Sequence, residues 1–403
     1  MPSSFRPLLV FLVCVAIFGL GQFHRASGSV YAPILIDALT LPSSAVGLLV
    51  ASMFLASIVA LAPFGVALDR YGPRRILTLC LILSALGTAL FALSSSYPGL
   101  LFARVLIGVS MASTAAAINI ILARNFPSRQ FGLMSGLVVS LGGIGGLLGT
   151  YPTSLALLHF SWLSVFLFVG LVTLLMAFLV FLALRGPAPS PPPSHPNDRK
   201  IGFLDLLNRS EIRRILALGV VTYAPITVIT GIWGGPYYQD IHGLSPAASG
   251  GLLFLLFAAA IAGGFLFGFL DRYLPSRRLL ILSASGVSLL CYLALALLPA
   301  PSIHVAAFLL TLMVLVQQFH IPLTAHLRRT VPHSVLGRAS TLLSLVSVIS
   351  IPVFQTGFGL ILDCAAYVQL SPAQGYRIAF GAIALLITGS ALIYSRVREA
   401  DDD

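Results

Sequence analysis

The chain has 403 residues, of which 58% are hydrophobic and only 9% charged. A soluble domain carries about 25% charged residues, so this composition excludes a soluble enzyme, a disordered chain and a secreted scaffold. Lysine and arginine number 23 against 12 acidic residues, a net charge of +11; such an excess suggests nucleic acid in a soluble protein but a sidedness signal in a membrane protein.

Crossing a bilayer takes ~20 apolar residues. Twelve stretches qualify: 8–38, 45–68, 76–94, 98–123, 130–158, 162–184, 212–240, 246–270, 277–298, 302–327, 335–363 and 373–396. They are numbered here as spans 1 to 12. Span 1 is too long for a cleavable signal and continues past polar residues into Pro33–Leu39. Between spans 6 and 7 lies the one long polar stretch, 185–211, with Pro187, Pro189, Pro191, Pro192 and Pro193. Proline favours an extended linker there. The expected organisation is an all-α membrane protein: a six-helix bundle over 1–184, a cytoplasmic linker over 185–211, and a second six-helix bundle over 212–403 ending in a solvated acidic tail. Cys14, Cys80, Cys291 and Cys364 lie far apart, so neither a disulfide frame nor a metal site is expected.

Topology follows from the arginines. With a cytoplasmic N-terminus and alternating spans, 20 of the 23 basic residues face the cytoplasm; Arg25, Arg104 and Arg377 do not. The opposite orientation violates the positive-inside rule almost everywhere. Both termini are therefore expected inside, and nucleic acid is an unneeded partner. Abundant arginine with little lysine suggests a GC-rich bacterial genome, and hence the inner membrane.

The two halves echo each other. Gly65, Asp69, Arg70, Tyr71, Gly72, Pro73, Arg74 and Arg75 follow span 2, while Asp271, Arg272, Tyr273, Pro275, Arg277 and Arg278 follow span 8, about 200 positions later. Pro33 and Asp37 of span 1 recur as Pro236 and Asp240 of span 7. Repeated halves joined by a linker mark transporters that bind solute at the repeat interface and rock one half against the other.

The first loop, with Gly65, Asp69, Arg70, Gly72, Arg74 and Arg75, resembles the loop 2–3 signature of the major facilitator superfamily. Arg104 with Gly108 is similar to that family's span-4 arginine motif. The run Gly142, Gly143, Gly145, Gly146, Gly149 is similar to its glycine-rich span 5, without the Gly-Pro pair typical of drug antiporters. Blocks around Gly231–Tyr238, Gly337–Ala339 and Gly375–Arg377 look like those of bacterial members. The resemblance covers essentially the whole chain and implies twelve helices in two pseudo-symmetric bundles, with spans 1, 4, 7 and 10 lining the solute cavity. It also implies that Asp69 braces span 2 against span 11 in an outward-open state, with Arg70, Arg74 and Arg75 adding charge pairs or lipid-phosphate contacts. Gly65 is expected to admit a close helix approach and Gly72 a tight turn. The second loop departs from the pattern, with Leu274 for glycine and one extra residue. Asp271 is its counterpart gating residue, on a different turn.

Ionisable residues inside the membrane are functional candidates by default. Gln22, Arg25 and Ser29 share a helix face with Gly21, and Arg25 is the first solute-binding candidate. Arg104 either contacts solute or caps an outer-half hydrogen-bond network. No carboxylate lies near mid-membrane, so the cavity reads as net positive and suited to an anion, whose carboxylate or phosphate an arginine fork holds. Further cavity candidates are Thr227, Trp233 and Tyr237 in span 7 and Gln317 in span 10; Trp233 with Tyr237 forms either an aromatic outer gate or an interfacial anchor. The span 5 glycines read as close-packing positions. Without a central carboxylate, histidine is the common remaining group that exchanges a proton near neutral pH. His320 and His24 are the coupling candidates, against the alternative of hydrogen-bonded packing residues.

The leading expectation is thus a monomeric secondary transporter in membrane lipid, moving a small anionic organic solute by alternating access, with proton symport. No cofactor is expected. No Walker sequence marks an ATP-driven pump, and no hydrolase or metalloprotease motif marks an enzyme. The alternatives are an exporter of amphipathic drugs or metallophores, and a non-transporting sensor with the same fold.

Overall fold

The computed structural model describes residues 5–184, 206–274, 276–299, 301–331 and 336–397. Most of the linker and the acidic tail lie outside these residues. Among the described residues there is no strand, and eleven helices are long and apolar enough to cross a membrane. Eleven rather than twelve results from one 51-residue helix, Ser43–Leu93, that carries spans 2 and 3 across a break at Gly72. Gly72 has φ 80° and ψ 164°, a conformation that a side chain resists. Divided there, the described residues hold twelve spans. The second loop turns differently: the span 8 helix ends at Tyr273, and Ser276 starts span 9 by accepting the Leu279 N–H at 3.0 Å.

Large apolar side chains cover the outside. Phe168, Leu171, Leu174, Leu175 and Phe178 of span 6, Trp162–Ala183, are all exposed. In a soluble protein such a face would be a liability; on a spanning helix it is the surface that meets lipid, since every backbone group is satisfied within the helix.

The helices form two compact units. Unit 1 holds spans 1 and 3 to 6, span 2 from Leu48 onward, and the segment Pro246–Gly251. Its core packs Val10, Cys14 and Ile17 of span 1 against Leu77, Cys80 and Leu81 of span 3 and Ile118 and Ile121 of span 4. Span 5 meets span 1 backbone to backbone: a Cβ on Gly145 would overlap the Gly19 carbonyl. No neighbour comes within 4 Å of a Cβ built on Gly65, so the close approach expected there falls on span 5 instead.

Unit 2 holds the segment Pro42–Gly47, span 7, span 8 from Leu252, and spans 9 to 12. Asp363 at the end of span 11 accepts the backbone N–H groups of Ser43 and Ser44 at 2.7 and 2.8 Å. It thereby caps the first turn of the long helix, where a carboxylate gains from the macrodipole.

Five spans are interrupted inside the membrane, among the described residues: span 5 is divided into Ser128–Gly142, Ile144–Leu148 and Tyr151–His159, and four others are broken as follows. Span 1 breaks at Ser27 between Phe5–Ala26 and Gly28–Leu39, and span 4 breaks between Tyr97–Met111 and Thr114–Asn125. Span 7 passes through Ala224–Val228 and a widened π turn at Ile229–Trp233, and span 10 through a tight 3-10 turn at Gln317–Phe319. Broken helices in a membrane free backbone groups that side chains must satisfy. Pro225 illustrates this. Having no N–H, it cannot bond the Val221 carbonyl one turn back, and Gln317 Nε2 donates to that carbonyl instead, at 3.4 Å.

Candidate solute site

Span 1 brings Gln22 and Arg25 onto one side of a cavity inside unit 1. Its remaining walls come from span 3 (Leu77, Cys80, Leu81, Ser84) and from both sides of the span 4 break (Ser110, Met111, Thr114, Ala115). The cavity volume is about 80 Å³. Arg25 donates from Nη1 to Gln22 Oε1 at 3.2 Å, and its guanidinium stands 5.7 Å from the centre of the Phe54 ring. Its Nε is buried without a partner. Among the described residues of unit 1 the carboxylates are Asp37 and Asp69, both exposed and neither bonded to Arg25. The cavity is therefore polar on one wall, positively charged and short of acceptors. Chemically it can accept an anionic head group.

Arg104 does not share this cavity. It is 1% exposed, donates through Nη1 and Nη2 to the His24 carbonyl at 3.4 and 3.3 Å, and lies against the faces of Tyr31 and Phe91 at 5.5 and 5.9 Å. Tyr31, Phe91, Trp162 and Phe166 stack around it with centroids 4.5 to 6.3 Å apart. Arg104 thus sits in a hydrogen-bond and aromatic network shared by spans 1, 3, 4 and 6. His24 is buried in the adjoining layer, its Nε2 at 3.5 Å from Thr88 Oγ1.

The candidates in unit 2 are placed as follows. Trp233 is 1% exposed, donates Nε1–H to the Gln355 carbonyl at 3.2 Å and stacks on Phe358. Tyr237 is enclosed by Tyr238, His242, Tyr376 and Phe380. Both aromatics belong to the packed interior of their unit. Thr227 donates its hydroxyl to Ala224 within its own helix, and its carbonyl accepts Gln355 Nε2 at 3.3 Å. Gln317 is held by Val221, as described, with its Oε1 left unpartnered. His320 begins the helix after the 3-10 turn and meets Tyr223 edge to face at 6.1 Å; its Nδ1 is buried without a partner.

In the first loop, Asp69 and Arg75 are exposed and make no hydrogen bond or ion pair among the described residues. Arg70 folds over Tyr71, with 5.3 Å to the ring centre. Arg74 turns to span 6, donating to the Phe181 carbonyl at 2.8 Å with its guanidinium 4.1 Å above the Phe181 ring. In the second loop Asp271 pairs with Arg277 through contacts of 2.5 and 3.2 Å.

Sequence reasoning passed over the walls opposite Arg25. Ser84 and Ser110 are single hydroxyls in apolar runs, and such residues read as packing. A faint signal existed in span 3, where Ser84 and Thr88 stand one turn apart on a common face.

The chain has measurable relatives. A family model described as Major Facilitator Superfamily matches residues 11–355. A hexuronate transporter of Bacillus subtilis (strain 168) is 27% identical over 175 residues, which is 43% of this chain and 41% of that protein. The match thus spans less than half the length of that relative. Among solved structures, a bacterial homologue of the human lysosomal transporter Spinster, inward-facing and occupied, superposes with a TM-score of 0.79 at 20% identity, over 96% of this chain and 95% of that one. A D-xylose-proton symporter superposes with a TM-score of 0.76 at 15% identity, over 99% of each chain. These likenesses in structure concern the fold. With twelve spans, a signature loop turning at Gly72 and a family match over most of its length, the chain belongs to the Major Facilitator Superfamily, a family of multi-pass membrane transporters.

Proposed function

We propose that this chain is a secondary active transporter that moves a small organic anion across the bacterial inner membrane by alternating access. The observation that carries the reading is Arg25: a guanidinium lining a cavity in unit 1, with an unpartnered Nε and no ion pair among the described residues. An anionic solute supplies the missing acceptors through charge-assisted hydrogen bonds. The name of the Bacillus subtilis relative, a hexuronate transporter, supports the same class, since a hexuronate carries a carboxylate. Proton coupling is the accompanying proposal. His320 in the interrupted span 10 is its candidate, supported by the unpartnered Nδ1.

The test is solute counterflow in proteoliposomes. Vesicles preloaded with an organic acid are expected to accumulate the labelled acid from outside, and exchange by Arg25→Ala is expected to fall to background. Counterflow of organic cations but not anions contradicts the proposal; absence of any counterflow supports a sensor. Coupling is tested separately. His320→Gln is expected to keep exchange while flattening the pH dependence of net uptake, and an unchanged pH profile eliminates His320.

A further inference from the structure

A hydroxyl on a membrane helix ordinarily returns to a carbonyl of its own preceding turn. In span 3, Thr78 donates to the Arg74 carbonyl at 2.8 Å and Thr88 to the Ser84 carbonyl at 2.7 Å. Across the cavity, Ser110 donates to the Ile107 carbonyl at 2.6 Å. Ser84 does not follow this habit. It is 3% exposed, and its Oγ is buried without a partner. Other serines also hold unpartnered hydroxyls (Ser27, Ser135, Ser249 and Ser288), but Ser84 is the one on the wall of the cavity that holds Arg25. An unpaired buried hydroxyl is costly, so a ligand group that pairs with it is favoured over one that does not.

Arg25 and Ser84 line one cavity, and its walls call for two functions: an anionic group for the Arg25 guanidinium and a hydroxyl for Ser84.

We infer that the unit 1 cavity recognises an α-hydroxy carboxylate, with Arg25 holding the carboxylate and Ser84 the neighbouring hydroxyl as a specificity-determining residue. The inference rests on the reading of Arg25 as the anion site. A site built to hydrogen-bond a hydroxyl discriminates strongly against the analogue lacking it, because its own polar group is then left unpaired.

The experiment measures binding of matched acid pairs that differ only in the α-hydroxyl: lactate with propionate, 2-hydroxyhexanoate with hexanoate, and gluconate with 2-deoxygluconate. Dissociation constants are read by titration calorimetry on the purified full-length chain, on Ser84→Ala, on Ser84→Thr and on Arg25→Ala. The expected result is at least a tenfold preference for the hydroxylated member of each pair. It should shrink below threefold in Ser84→Ala and persist in Ser84→Thr, which keeps the hydroxyl. Equal binding within each pair, or a preference that survives in Ser84→Ala, overturns the inference and leaves the anion site standing. Binding of neither acid, or binding indifferent to Arg25→Ala, overturns both.

Discussion

In unit 1 the polar group facing the cavity is a guanidinium whose Nε has no partner; in unit 2 the buried amides Gln317 and Gln355 donate to carbonyls of span 7. Both units have interrupted helices, and both carry an aromatic cluster, yet their polar side chains serve different ends. Span 7 contains Pro225 and a π turn, so its freed backbone calls for donors, and the two glutamines supply them. Spans 1 and 4 break where no proline removes a donor; Ser27 N still reaches Phe23 O at 2.9 Å and Ala112 N reaches Val109 O at 3.2 Å. Their neighbours Gln22, Arg25 and Ser110 are thereby left to line a cavity. The same architectural device gives a repaired wall in one unit and a charged pocket in the other.

The two loops show a similar contrast. Asp271 is closed onto Arg277 within its own turn, whereas Asp69 stays exposed without a partner among the described residues. A carboxylate already paired is a local brace, and one held open is available to another element during a transport cycle.

The largest effect is expected from Arg25→Ala. Truncating one partner of a buried charge pair costs ~2–5 kcal/mol, so transport should fall by roughly thirty-fold or more, while size-exclusion behaviour and melting temperature stay near those of the parent. A comparable loss of function from Gln317→Ala, with a change in which solute charge is accepted, would break the contrast between units.

Next is Gln317→Leu. It leaves the Val221 carbonyl buried without a donor, and a loss of about 1–3 kcal/mol in stability is expected, read as a lower melting temperature. Adding Pro225→Ala sharpens the comparison, because the new backbone N–H can satisfy Val221 within the helix. The double variant should recover most of the loss, and strictly additive effects would refute the repair account.

Asp363→Asn is expected to cost about 0.3–1 kcal/mol, the charge–dipole part of the cap on Ser43 and Ser44, with hydrogen bonding to one N–H retained. An unchanged melting temperature at low salt would contradict the cap. The smallest stability effects come from the loops. Asp271→Asn should lose at most about 1 kcal/mol, and Asp69→Asn none; but Asp69→Asn is expected to slow turnover more than it weakens solute binding. A tenfold loss of affinity at unchanged turnover would oppose a gating role.

The sequence made twelve spans legible because each is a long apolar run, and it made the Gly72 turn legible because glycine was the residue the turn required. Arg25 was legible for the same reason: a charge in an apolar helix has few bland explanations. Ser84 was not, since a serine in such a helix usually bonds its own backbone, and only the cavity reveals that this one does not. The role of Gln317 was equally hidden. It depends on Pro225, 92 positions earlier in the chain, lying beside span 10 with its preceding carbonyl unfilled. Spacing places Trp233 and Tyr237 on one helix face but does not show that Trp233 stacks on Phe358 or that Tyr376 and Phe380 pack against Tyr237.

The central claim is that charge selection resides in unit 1, at Arg25. It is tested most directly by thermal stabilisation of the purified protein with paired panels of organic anions and organic cations, on the parent, Arg25→Ala and Gln317→Ala. A ligand at 100 times its dissociation constant adds about 2.7 kcal/mol to the state it binds. Stabilisation by anions that vanishes in Arg25→Ala and persists in Gln317→Ala is the predicted result. Stabilisation by cations or bulky apolar compounds, indifferent to Arg25, would contradict the claim and assign Arg25 to structure alone.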